Sequence, residues 1–288
     1  MPLNTTVSHI SPLVSYIPRS AWYEGDLSDP DLDKYSNKSY HYSNSTASVT
    51  FSWWGTGIWV FGGRRNWSGE YRVVLDNQEP QTFPGYAGGA DEFQQVLFGS
   101  SNLPYAPHQI RITNTGASPA TQSTLDIDYL VYETILADNG RIYHNDPGCT
   151  WQPANQNVWQ VDETSHTTYD DLGAMELNFT VCSGITVYGY LGKIDAPLSV
   201  SVDGWAFTPL TPNTDITPLV PNVTHILYTN SNLQEGPHTL RVENNPLPMN
   251  GSGSRMSIAY SQILSLSDGT SSVGCVLRLA HLVYWGND

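Results

Sequence analysis

One segment of this chain is written twice. Residues 96–114 read VLFGSSNLPYAPHQIRITN, and residues 226–244, at a constant offset of 130, read ILYTNSNLQEGPHTLRVEN. The two share 8 identities in 19 positions, where composition alone gives about one. The match extends in both directions. Gly57-Ile58-Trp59-Val60-Phe61-Gly62 answers to Gly184-Ile185-Thr186-Val187-Tyr188-Gly189, and an Asp follows each closing Gly at the same distance, Asp76 and Asp203. Trp22 and Trp151 precede Phe51 and Phe179, and Ile127-Asp128-Tyr129 matches Ile258-Ala259-Tyr260. A period of this length means two copies of one folding unit. The expected division is an N-terminal segment 1–15, copy one 16–136, a polar linker 137–141, copy two 142–266, and a C-terminal extension 267–288 packed on copy two.

Each copy reads as strands. Val49, Phe51 and Trp53 alternate with Thr50 and Ser52, the period of a half-buried strand. Residues 58–61 are apolar on both faces, as in a central strand of a packed sandwich. Asp76-Asn77 and Asp203-Gly204 follow β-branched runs and are hairpin-turn dipeptides. No window carries a helical period, so the expected class is all-β, two tandem antiparallel sandwiches. The extension repeats the alternation at Val273, Cys275, Leu277 and Leu279, which predicts one more strand.

Composition narrows the partners. The chain has 288 residues with 12 Lys+Arg against 27 Asp+Glu, a net charge of −15. It offers phosphates no electrostatic footprint, so nucleic acid is excluded as a partner. No run of 18 apolar residues occurs and the first residues lack a signal-peptide core, so the chain as given is read as not membrane-spanning. Seven Asn-x-Ser/Thr sequons (Asn4, Asn37, Asn44, Asn66, Asn178, Asn222, Asn250) point to the secretory pathway and glycosylation. Three cysteines, Cys149, Cys182 and Cys275, fit either buried thiols or at most one disulfide. Cys275 is the expected member, paired with Cys149 since they open and close copy two, with Cys182 as the competing partner.

The order of these patterns carries a resemblance. An early Trp, then Gly55-Thr-Gly-Ile-Trp-Val-Phe-Gly62, Val73-Val-Leu-Asp76, Pro107-His-Gln-Ile-Arg-Ile112 and Leu125-Asp-Ile-Asp-Tyr129 resemble the jelly-roll domains of the galactose-binding-like superfamily. More narrowly the chain is similar to extracellular domains of basidiomycete fungal surface proteins, over residues 16–266. The resemblance implies a jelly-roll sandwich whose relatives mostly bind carbohydrate or other ligands.

Several residues invite chemistry. His108 and His238 hold the same place in each copy and read as strand-entry residues, with no matched carboxylate in view. Asp29, Asp31 and Asp33 have the first three ligand positions of a calcium loop, but Lys34 and Tyr40 stand where Gly and Glu are needed. Calcium therefore stays a weak candidate, and no other cofactor or metal is expected. A glycosidase needs two carboxylates, and the pairs to check are Asp91 with Glu92 and Asp170 with Asp171. Sugar rings stack on aromatic side chains. Trp54, Trp59, Trp67 and Tyr86 belong to copy one and are not repeated; the positions matching Trp53 and Trp54 in copy two are about Val181 and Cys182. Their loss implies either a ligand face or a surface buried by copy two or a partner subunit.

The resulting reading is a secreted or cell-surface, lectin-like protein, non-catalytic, that binds glycan or polysaccharide around Trp54, Trp67, Tyr86 and Trp59. Two alternatives stay open. One is a glycoside hydrolase with its carboxylates between the sandwiches, and the other a structural or adhesive ectodomain that forms a homodimer.

Overall fold

In a computed structural model the chain is described at residues 3–86, 88–116, 122–154, 158–181, 183–193, 195–206, 210–213, 220, 222–245 and 255–266. Among these residues the regular structure is strand, with three single-turn 3₁₀ helices and no helix able to cross a membrane.

Copy one is a sandwich. Its four-stranded sheet runs in the order Leu3–Ser8, Tyr129–Thr134, Gly57–Arg64, Glu92–Ser100. The facing sheet runs Val14–Ile17, Ala47–Gly55, Ala106–Asn114, Tyr71–Leu75, Gln81–Phe83. Copy two repeats this plan, with Thr224–Asn230 beside Gly184–Tyr190, and Gly236–Asn244 between Ala174–Val181 and Leu198–Val202. The two halves of the sequence repeat thus occupy equivalent places.

Alternation builds each core. Val49, Phe51 and Trp53 point inward from Ala47–Gly55, while Ser52 is exposed. In Gly57–Arg64 the inward residues are Ile58 and Val60. Its outer aromatics are covered too, since Phe61 stacks on Tyr129 with centroids 4.5 Å apart. The repeated glycines have a steric cause: a Cβ on Gly62 would lie 2.0 Å from the Asp126 carbonyl oxygen, and one on Gly189 2.0 Å from that of Ser257. Only glycine allows so close an approach.

Three expectations change. Residues 1–15 are no separate segment, because Leu3–Ser8 pairs with Tyr129–Thr134 and Val14–Ile17 with Ala47–Gly55. Its alternation, Thr5 and Val7 inward, is too short and polar to stand out. Residues 137–141 are no linker either. They belong to Leu136–Tyr143, which pairs with Met256–Leu266 through a bulge between Asp138 and Arg141. Polar residues mark a strand edge here rather than a break. The third change concerns register. His108 lies opposite Trp53, and His238 lies opposite Phe179. Trp53 therefore corresponds to Phe179 and Trp54 to Thr180, two residues from the pairing that the early tryptophans imply. The expected strand at 273–285, with Cys275, and Cys182 lie outside the described residues.

The hairpin aspartates do more than turn the chain. Asp76 Oδ2 is 2.9 Å from His108 Nδ1, Asp76 Oδ1 accepts the Gln109 N–H, and His108 Nε2 is 2.8 Å from the Pro104 carbonyl oxygen. Copy two repeats the arrangement with Asp203, His238, the Thr239 N–H and the Gln234 carbonyl. The matched carboxylate missing from the sequence reading is thus the turn residue itself. The His238 and Thr239 hydrogen bonds hold the Asp203 carboxyl below its ordinary range. A double-mutant cycle on Asp76→Ala and His108→Ala should give a coupling of about 1 kcal/mol; additive losses in urea unfolding contradict the pairing.

Candidate functional site

The end of Gly57–Arg64 delivers Arg65 into the protein interior, 1% exposed. Its guanidinium is held by Asp29 through both Nη atoms, by Asp31 at 3.2 Å and by Asp91 at 3.4 Å. Its flat faces meet rings: the guanidinium carbon is 4.0 Å from the Trp67 centroid and 5.1 Å from that of Phe93. Burial works against the charge, but the Asp29 hydrogen bonds prevail and keep Arg65 above its ordinary pKa. Asp29 likewise stays below its ordinary range, burial opposing and Arg65 prevailing.

The loop that brings Asp29 and Asp31 also brings rings. Tyr35 and Tyr40 stack at 4.0 Å, and Tyr40 donates its hydroxyl hydrogen to Asp29 Oδ2. Tyr35 donates to Oδ2 of Asp126, which is 1% exposed. Burial pushes the Asp126 carboxyl up to about 7 despite that hydrogen bond. Its Oδ1 meets no donor among the described residues. The result is a cavity of about 300 Å³ whose wall includes Asp26, Asp29, Tyr40, Tyr42, Trp67 and Asp126. Trp67 is 38% exposed. One ring face is fixed by Arg65 and the ring still reaches solvent.

The four singled-out aromatics do not share one face. Trp54 and Trp67 flank opposite ends of Gly57–Arg64, whose eight residues span roughly 25 Å. Trp59 is a packing residue, half-buried over the backbone of Gly57 and Gly99. Tyr86 borders a neighbouring cavity of about 430 Å³ and donates to the Gly89 carbonyl. Trp54 borders a cleft between the copies.

The carboxylate candidates also resolve. Asp91 is engaged by Arg65 and the Asn66 N–H, and Glu92 is exposed on the strand that follows. Asp170 accepts the Leu172 N–H in a turn, Asp171 is exposed, and neither borders a described cavity. The cleft between the sandwiches has one carboxylate among its wall residues, Asp76, already paired with His108. The catalytic pair expected there is not formed by these residues. Asp29 and Asp31, weighed for calcium, direct their oxygens at Arg65, while Asp33 is exposed. The guanidinium takes the place a cation would need. Cys149 carries a half-buried thiol, pushed up to about 12 by burial and by Asp146; its expected partner Cys275 is outside the described residues. Six sequon asparagines, Asn4, Asn37, Asn44, Asn66, Asn178 and Asn222, are exposed; Asn250 is not among the described residues.

Sequence reasoning missed two histidine pairs, one buried and one partly buried. His9 and His41 face each other Nδ1 to Nδ1 at 2.6 Å, and His144 and His166 do so at 2.8 Å. Only one proton fits between each pair. Their separations in the chain, 32 and 22 residues, differ too much to show as a repeat.

No family model matches the chain. An A type blood alpha-D-galactosamine galactosaminidase of Flavonifractor plautii is 26% identical over 246 residues, 79% of this chain and 20% of that protein. The chain thus spans about a fifth of that relative's length. Among solved structures, the tandem CBM51 modules of the family 98 glycoside hydrolase Sp3GH98 from Streptococcus pneumoniae SP3-BS71 match 78% of this chain and 84% of theirs, with 8% identity and TM-score 0.27. A family two carbohydrate esterase from Cellvibrio japonicus matches 46% of this chain and 34% of its own, with 12% identity and TM-score 0.30.

The titrating groups fix a pH response. Burial, with His225 adding to it, lowers His9 to about 3, and burial lowers His225 to about 4. Burial and His144 lower His166 to about 4, and burial takes His41 well below its ordinary value. Burial raises Asp126 and Asp128 to about 7. Between about pH 4 and 6.5, unfolding takes up protons at four histidines and releases them at Asp126 and Asp128, and in part at Asp195, which burial also raises. Stability should therefore fall as pH is lowered through that window. Asp126→Asn isolates one contribution. The raised carboxyl favours the folded state at low pH and loses that advantage as pH rises toward 7. The variant should gain roughly 2–3 kcal/mol on the parent between about pH 5 and 8, measured by urea unfolding; a difference independent of pH contradicts this.

Proposed function

We propose that this chain is a non-catalytic carbohydrate-binding module of a secreted or cell-surface protein, and that it holds a sugar in the Trp67 cavity. The observation that carries the reading is the Trp67 ring, pinned on one face by a buried Arg65 and open to solvent beside carboxylates and tyrosines. A hexose needs this combination. Its C–H face stacks on a fixed indole, and its hydroxyls require a few preplaced acceptors and donors. Asp26, Asp29, Asp126 and Tyr42 border the same space. Resemblance to a galactosaminidase over a fifth of that enzyme supports a carbohydrate-related role. Exposure of six sequon asparagines agrees with passage through a secretory pathway.

One observation favours an enzymatic reading as well. Asp126, raised to about 7, borders the cavity with Asp26, which the Ser28 backbone and hydroxyl hold below its ordinary range. Carboxylates driven apart in this way are the arrangement of a glycosidase acid and its partner. Release of reducing ends from oligosaccharides, abolished in Asp126→Asn, decides for it.

For the binding reading the test is Trp67→Ala on a glycan array followed by titration with the best ligand. Affinity should fall about tenfold to a hundredfold, by analogy with stacked bases. The fold should persist at a cost of about 1–2 kcal/mol, because the ring also covers Arg65. Unchanged affinity for a confirmed glycan overturns the assignment of the site.

A further inference from the structure

We infer that the cleft between the two copies is a second, separate binding site, and that its ligand is a neutral oligosaccharide. The cleft has a volume of about 870 Å³, within the roughly 300–1,000 Å³ of small-molecule sites. It is lined from copy one by Trp53 and Trp54 and from copy two by Tyr228, Asn230 and Asn232. Trp54 is the position whose ring is not repeated, since Thr180 takes its place opposite Pro237.

The junction holds the cleft open in one shape. Ser11 donates its hydroxyl to the Ile226 carbonyl, and the Asn213 amide donates to the carbonyls of Ser11 and Val14. Tyr105, edge-on to Trp54, donates to the Ser231 carbonyl. Ile226 is buried in copy one's core cluster and Ile10 in that of copy two. Each copy plugs the other, so the walls are not free to drift.

The chemistry of the walls selects the ligand. The titratable side chains Asp76 and His108 among them are spent on each other and on main-chain groups. What remains is the half-buried Trp54 ring with Leu13 and Leu210, and exposed amides at Asn77, Gln109 and Asn232. Amides both donate and accept, which matches neutral hydroxyls and gives a carboxylate or phosphate no counter-charge. A saccharide, with apolar faces and a rim of hydroxyls, meets each requirement.

The test titrates the whole chain with maltotriose, cellotriose, xylotriose and mannotriose, with trigalacturonate as the charged control. Binding is read by tryptophan fluorescence and by calorimetry in the millimolar range. At least one neutral trisaccharide should bind. Trp54→Ala and Asn232→Ala should each weaken it, the former roughly tenfold, and should do so equally in a Trp67→Ala background. Trp54→Phe, which keeps a ring, should retain most of the affinity and shows that the cleft still forms. Binding by none of the neutral probes, or stronger binding of trigalacturonate, overturns the inference. So does loss through Trp67→Ala with no effect of Trp54→Ala, an outcome that leaves the Trp67 site standing. Loss through Trp54→Ala alone, with Asn232→Ala neutral, also overturns it, since a cleft needs both walls.

Discussion

Arg65 organises copy one beyond its sandwich. Twelve cations serve a chain with 27 acidic side chains, and this one is buried. A guanidinium taken from water costs several kcal/mol unless its hydrogen bonds are met. Here Asp29, Asp31 and Asp91 meet them from two loops that lie 26 to 36 residues away in the chain. The cation therefore pulls the 26–38 excursion and the start of Glu92–Ser100 onto the end of Gly57–Arg64. Tyr35, Tyr40 and Phe93 pack around it and Trp67 caps it. The order of the cavity follows from satisfying one charge.

The same end of copy two shows what happens without that charge. By the glycine register, Gly192 stands where Arg65 does, and Ser257 where Asp126 does. The cavity there is bordered by Lys193, His225 and Arg255 instead. The two copies share a frame held by close glycine approaches and by the His–Asp turn pair, and they differ where loops meet. Divergence of loops on a common scaffold is the ordinary way one fold acquires different sites.

Much of the frame was legible because it rests on local rules. Strand alternation, the hairpin aspartates and the repeat itself predict the sandwiches and their equivalent strands. The register of Trp53 was not legible, because counting from Trp22 ignores two residues that the loops absorb; the partner strand, with His108 opposite Trp53, sets it. The site was legible only in part. Trp67 stood out as an unrepeated aromatic in a loop, Asp29 and Asp31 as part of an acidic stretch, and Asp91 beside Glu92 as a candidate carboxylate. That all three acids turn toward Arg65 depends on contacts across long loops, which no periodicity encodes. Trp54 and Trp67 looked alike in the sequence, yet one strand's length puts them at opposite ends of copy one.

The nine tryptophans offer a direct view of the central claim, because each indole N–H gives its own resonance in ¹⁵N-labelled protein. With signals assigned by single Trp→Phe variants, a glycan that binds the chain should displace the Trp67 indole resonance most at the Trp67 cavity. The resonances of Trp22 and Trp59, which serve packing, should stay in place. If no glycan that binds the chain moves the Trp67 resonance, the account is contradicted.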